Sequence, residues 1–412
     1  MKQVLILCAI GLLLPVLTVH THPYAETTWG FFGHRRINRL AVFTLPPEMS
    51  GFYKRHIEYV TEHAVDPDKR RYATRHEAVR HYIDIDHWDG YPFTAVPRDW
   101  TDALAKHTSV SAVTVDGDTL SLFGQGLHRR NGERIVFENG WLAGKNPGLD
   151  YAAYRDFFQA TFLPQYYEES WSCSCAGMET LLQQPIPGCL AIIAMDRFSE
   201  YGILPYHLPV MQRRLTKAFE ERDPDKIIRL STEMGHYIAD AHVPLHTTEN
   251  YNGQLTGQDG IHAFWESRLP ELFADDQYDY FVGPAVYIGD PPAFFWDVVL
   301  SSHMLLDSVL FGEKTLSRSF PSDQQFCYEE RLGQTVRTQC AAYAKAYHDQ
   351  QAGQVEARMR ASILAVGSAW YTAWVDAGSP DLQKWENIEV REDSTLAEKK
   401  APVNDPKIRP HE

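Results

Sequence analysis

No Cys-x-x-Cys pair occurs among the six cysteines of this 412-residue chain, which argues against a cysteine-rich zinc site. No internal repeat stands out, so a solenoid or propeller is excluded. Basic residues are in deficit: 39 Lys and Arg stand against 54 Asp and Glu, a formal charge of −15 that repels long polyanions. Past the N-terminus no apolar run reads as a membrane span, because the stretch 294–311 is interrupted by Asp297, His303 and Asp307 and reads as a buried helix. What is present, 44% hydrophobic and 23% charged residues, is the composition of a soluble globular protein.

Residues 1–25 carry Lys2, an apolar run over 4–19 and then small and polar residues. This pattern predicts a secretory signal peptide with cleavage after Ala25, or as late as residue 28, and a secreted or periplasmic protein. Export permits disulfides. Of the five cysteines that remain, Cys327 with Cys340 or Cys173 with Cys189 would close short loops, and the odd count leaves a thiol free or paired between chains.

The stretch 235–266 concentrates His236, Asp240, His242, His246, His262 and Glu266. His236 and Asp240 stand four apart within an apolar-periodic run that includes Ile227, Ile228, Leu230, Met234 and Ile238, so a helix projects both from one face. The same spacing recurs at His262 and Glu266, in a segment where Asp259-Gly260 predicts an N-cap. Pro244 ends the first helix and presents His246 from the turn. Imidazoles and carboxylates without a thiolate suit zinc best, with iron or manganese as alternatives.

GHYIADAHVPLH followed by HAFWE resembles the core of the zinc-dependent phospholipase C and single-strand-specific nuclease superfamily. Upstream, Trp29-Gly30-Phe31-Phe32-Gly33-His34 is similar to that family's Trp-Gly-x-x-Gly-His opening, and Asp66 and His81 match its Asp and His fifteen residues apart. The resemblance implies an all-α, multi-helix bundle over 29–377 that holds about three zinc ions. It implies Asp66, His81, His236 and Asp240 at the first zinc, and His246, His262 and Glu266 at the second. Trp29 and His34, with Asp240 bridging, would hold the third. Asp66 would also act as general base and Lys69 would bind the scissile phosphate.

The chain departs from the family's pattern in an insertion of roughly 100 residues, about 98–200, where alternation over 112–123 and 133–138 predicts a short β-hairpin or two and 151–162 reads as helical. Trp100, Trp141, Trp171 and Tyr166-Tyr167 in it are candidates for a substrate groove or for core. Alanine-rich periodicity over 339–376 closes the bundle, and the polar stretch 378–412 is expected to be disordered.

Clustered zinc ions hydrolyse phosphoesters by activating a water and neutralising phosphoryl and leaving oxygens. Within the resemblance, the Trp-Gly-x-x-Gly-His opening and the fifteen-residue Asp-to-His spacing lean towards the nuclease branch, so a nuclease-type phosphodiesterase acting on single-stranded nucleic acid or nucleotides is the first expectation. Glu at 266 and the short 246–262 connection favour the alternative, a phospholipase C acting on lipid head groups. A non-catalytic zinc-stabilised binding protein is the reading from another class. Asp66-Pro-Asp-Lys69-Arg70-Arg71 supplies a basic cluster able to take phosphoryl oxygens, or a solvated turn.

Overall fold

The computed structural model describes residues 30–385 apart from Tyr72, 125–127, Asn146 and Leu332. Trp29, the signal peptide and the stretch 386–412 lie outside the described residues.

Five helices build the frame around the histidine-rich stretch: Gly30–Ala41, Leu204–Glu221, Pro224–Ala241, Pro291–His303 and Gln354–Asp376. The first ends in a 3-10 turn, Val42–Thr44, and Pro47 starts the next helix at its N-terminal turn, where a missing N–H costs nothing. Asp223 caps the Pro224–Ala241 helix by accepting from the Lys226 amide. That helix is buried over most of its last three turns, because Ile227, Ile228, Met234, Tyr237 and Ile238 leave it little polar face. Across it the closing helix lays Trp370, fully buried, which stacks on Tyr53 at 5.0 Å and donates its indole N–H to the Ser231 carbonyl.

The stretch expected as one buried helix is two, Pro291–His303 and Leu306–Ser319. Together they are long and apolar enough to cross a membrane by length and composition alone. Phe295, Trp296, Val298, Val299 and Ser302 are nevertheless buried inside the protein, with Trp296 edge-on to Tyr206 at 5.2 Å.

The all-α expectation is wrong. A four-stranded antiparallel sheet runs in the order Thr119–Phe123, Thr108–Thr114, Cys189–Asp196, Trp171–Cys173. Two further two-stranded sheets pair His128–Asn131 with Arg134–Phe137 and Phe326–Arg331 with Gln334–Gln339. All four strands of the larger sheet lie within 98–200, the stretch expected as an insertion. The hairpin between the first two was legible as local alternation, but the central contact pairs Val110 with Ala194, and no local pattern announces a partner so far along the chain. Val110, Ala112, Ile192 and Ala194 turn inward onto the Tyr151–Thr161 helix side, where Tyr154 and Phe158 are buried.

The insertion's aromatics serve mainly as core. Trp171 and Tyr166 are buried, and Trp100 packs edge-on to Tyr166 at 5.4 Å. Trp141 lies under the Lys145 ammonium, and only Tyr167 of this group stands out in solvent. Disulfides join Cys175 to Cys189 and Cys327 to Cys340, leaving Cys173 as the free thiol among the described residues. The second pair was expected; in the first, Cys175 takes the place expected for Cys173. Chain order also persists past 378: Leu382 is buried, and the Trp374 indole donates to the Pro380 carbonyl.

Candidate metal centre

Six segments converge on one buried centre. His34 comes from the first helix, Asp68 from the short Asp66–Arg70 helix and His81 from the end of a 3-10 turn. His236 and Asp240 come from one face of the Pro224–Ala241 helix, as their spacing predicts. Beyond that helix the chain turns at Pro244 into a 3-10 turn that carries His246. His262 lies in the single turn Ile261–Ala263, and Glu266 follows in a π-turn, Phe264–Arg268, a local irregularity found often at functional sites. The expected Asp259 cap is absent: Gly260 occupies the cap with φ of +90°, and no side chain caps that turn.

Backbone contacts lock two of these segments together. The His246 Nδ1–H donates to the His81 carbonyl, and the Ile83 amide donates back to the His246 carbonyl at 2.9 Å. The His236 Nδ1–H donates to the Ala64 carbonyl at 2.8 Å, which fixes its tautomer and turns Nε2 inward.

The inward-facing atoms form three sets of possible ligands: His34, His236 and Asp240; Asp68, His81 and His236; and His246, His262 and Glu266. Within each set the ligand atoms lie no more than 4.8 Å apart. Asp240 links the first two. Its Oδ1 is 3.4 Å from His34 Nε2 and 3.9 Å from His246 Nδ1, while Oδ2 is 2.9 Å from His81 Nδ1 and 3.3 Å from His236 Nε2. Glu266 reaches His262 Nε2 at 2.8 Å, His246 Nε2 at 3.4 Å and His34 Nε2 at 3.8 Å. Asp68 stands 3.7 Å from His81 Nδ1 and 3.6 Å from His236 Nε2.

Electrostatics reflect this crowding. Burial would lower the affinity of His236 for a proton, but the carboxylates of Asp240 and Asp68 raise its pKa to about 9. His34 and His81 are pushed down to about 4, chiefly by burial. Burial opposes ionisation of Asp240 and Glu266, yet the surrounding imidazoles hold both well below the usual carboxylate range. Three carboxylates packed among five imidazoles, out of water, are what a cationic ligand requires, and the donor set of N and O atoms fits a divalent transition metal. The ring nitrogens of His34 and His81 that face the carboxylates are Nε2 and Nδ1 respectively.

Of the residues singled out in the sequence, His34, His81, His236, Asp240, His246, His262 and Glu266 are thus brought together, and Trp29 falls outside the described residues. Asp66 is not in any of the three sets. It accepts from His63 Nδ1 at 2.6 Å and from Lys69 Nζ at 3.1 Å, and Asp68 occupies the cluster position expected for it. Sequence reasoning missed Asp68, although Asp66-Pro67-Asp68 offered two carboxylates from which a spacing rule chose the wrong one. His242 also stays out: its Nδ1–H donates to the Ile238 carbonyl, and burial with the nearby Arg358 pushes its pKa down to about 3. No family model, curated protein or solved structure matches the chain.

Proposed function

We propose that the protein is a secreted, zinc-dependent phosphoesterase of the kind its motifs resemble, with phosphodiester hydrolysis on single-stranded nucleic acid or nucleotides as its reaction. Three buried sets of His, Asp and Glu ligand atoms, two of them joined through His236 and Asp240, carry this reading. Two disulfides are compatible with an oxidising, extracellular location.

Metal ions bound there would supply Lewis acidity at phosphoryl oxygens and a water of lowered pKa. The chain's own share is positional. His236 and His246 hold their rings by backbone hydrogen bonds, so Nε2 of each is preset. Asp240 faces His34, His81 and His236 and so joins the first two sets. Asp66 lies two residues from Asp68, with its carboxylate below the usual range through the His63 and Lys69 contacts after burial has opposed ionisation. It is therefore an ionised acceptor at neutral pH, and a weak base for an attacking water because its pKa is lowered.

Glu266 in the cluster and the short connection between His246 and His262 support a second reading, a phospholipase C. Metal analysis of the purified protein, with parallel assays on single-stranded DNA, RNA, a 3′-nucleotide and phosphatidylcholine, separates the two. Fewer than about two metals per chain together with no turnover of any substrate would refute both.

A further inference from the structure

Three consecutive cations follow Asp68, and two of them have carboxylate partners. Lys69 donates to Asp66 at 3.1 Å with its side chain half exposed. Arg70 is paired with Glu233 at 2.9 Å and with Glu77 at 3.6 Å. Arg71 differs: it is only 3% exposed, and its buried Nε and Nη1 have no hydrogen-bond partner. Its backbone amide donates to the Asp68 carbonyl at 3.1 Å, which ties its position to that of a cluster carboxylate. Its charge is near enough to His81 to disfavour protonation of that ring, behind the larger effect of burial.

A buried guanidinium with unsatisfied donors is costly, and a fold keeps one where a ligand or function compensates. The cluster itself is a poor candidate for that compensation. Asp68, Asp240 and Glu266 already face five imidazoles, and divalent ions among them would make the surroundings of Arg71 more positive. An anion is the ligand such a group lacks.

We infer that Arg71 binds an oxyanion at the candidate metal centre, donating to the non-bridging oxygens of a substrate's phosphoryl group. This rests on the phosphoesterase reading, and it assigns to Arg71 the anchoring role that the resemblance implied for Lys69. Arginine suits the role because its charge persists at every working pH and its planar donors match phosphate.

The test uses the full-length, zinc-loaded protein and inorganic phosphate as probe, with binding read by calorimetry and acetate as a control anion. Arg71→Met should keep the metal content, leave the metal-free protein at least as thermally stable as wild type, and weaken phosphate binding about tenfold or more. Wild-type phosphate affinity in Arg71→Met overturns the inference. So does a fall in the variant's metal-free stability or a failure to fold, since either shows a structural role. Failure of the underlying reading looks different: wild type would bind phosphate through Arg71 yet hydrolyse none of the phosphoesters, whereas failure of the inference alone leaves hydrolysis intact and phosphate binding indifferent to Arg71.

Discussion

Asp240 places its Oδ1 3.4 Å from His34 Nε2 and turns its other oxygen away from that ring, toward His81 and His236. One carboxylate thereby serves the first two ligand sets, while His262 belongs to the third. Asp240→Asn should therefore lose more metal than any other single ligand change, and His262→Ala should lose about one ion. Elemental analysis of dialysed variants measures this; equal losses in the two would refute a linking role for Asp240.

Asp68 and Asp66 make opposite predictions. Asp68 lies 3.6 Å from His236 Nε2, so Asp68→Asn should reduce metal content at the His81 and His236 set. Asp66 holds His63 and Lys69, so Asp66→Asn should keep the metal and cut turnover by about 100-fold or more if it is the proton acceptor. Metal loss in Asp66→Asn with full retention in Asp68→Asn would reverse the assignment.

These two aspartates also show where the sequence stops being legible. Residues on long periodic elements were readable, because His236 and Asp240 sit four apart on a helix whose apolar face is unambiguous. Asp66 and Asp68 share a helix of five residues, too short for a period, and its phase is set by what packs around it. The cysteines behave alike. Cys173 and Cys175 are both near Cys189 in sequence, but Cys173 lies in the strand that pairs with Ile192, whereas Cys175 starts the following helix and meets Cys189. The sheet itself depends on the pairing of Val110 with Ala194, a non-local contact for which alternation supplies only half the signal.

The metal-free protein should have a characteristic pH profile. His34 and His81, at about 4 against 6.5 unfolded, take up protons more readily when unfolded, so stability rises as pH climbs from about 4 to about 6.5. His236 is raised to about 9, so its contribution is complete below about 6.5 and is lost as pH rises to about 9. Stability of the metal-free form should pass through a maximum near neutral pH. Metal must displace the His236 proton, so the loaded form should gain relative stability with rising pH over the same upper range. Thermal unfolding of chelated and loaded samples between about pH 5 and 9 tests both arms. Parallel curves for the two forms would show that His236 does not exchange its proton for metal.

Gly235 decides how closely the first helix approaches the ligand helix. A Cβ built there would come within 2.0 Å of Asn38 Oδ1, while Asn38 itself donates from Nδ2 to the Thr232 carbonyl at 3.0 Å. That close approach brings His34, one helical turn before Asn38, onto the His236 ring at a centroid distance of 3.9 Å. Gly235→Ala must displace either the Asn38 amide or the helix that carries it, and overpacking of this kind costs about 1–3 kcal/mol. The displacement should be felt at the metal centre as well as in stability, because His34 moves with its helix while His81, His246 and His262 belong to other segments. Expected, then, are a lowered unfolding midpoint and loss of the metal held by His34, with the His246, His262 and Glu266 set still filled. A double change with Asn38→Ala, which removes the colliding amide, should restore the His34 site in part; no restoration would show that Gly235 acts on the centre by another route.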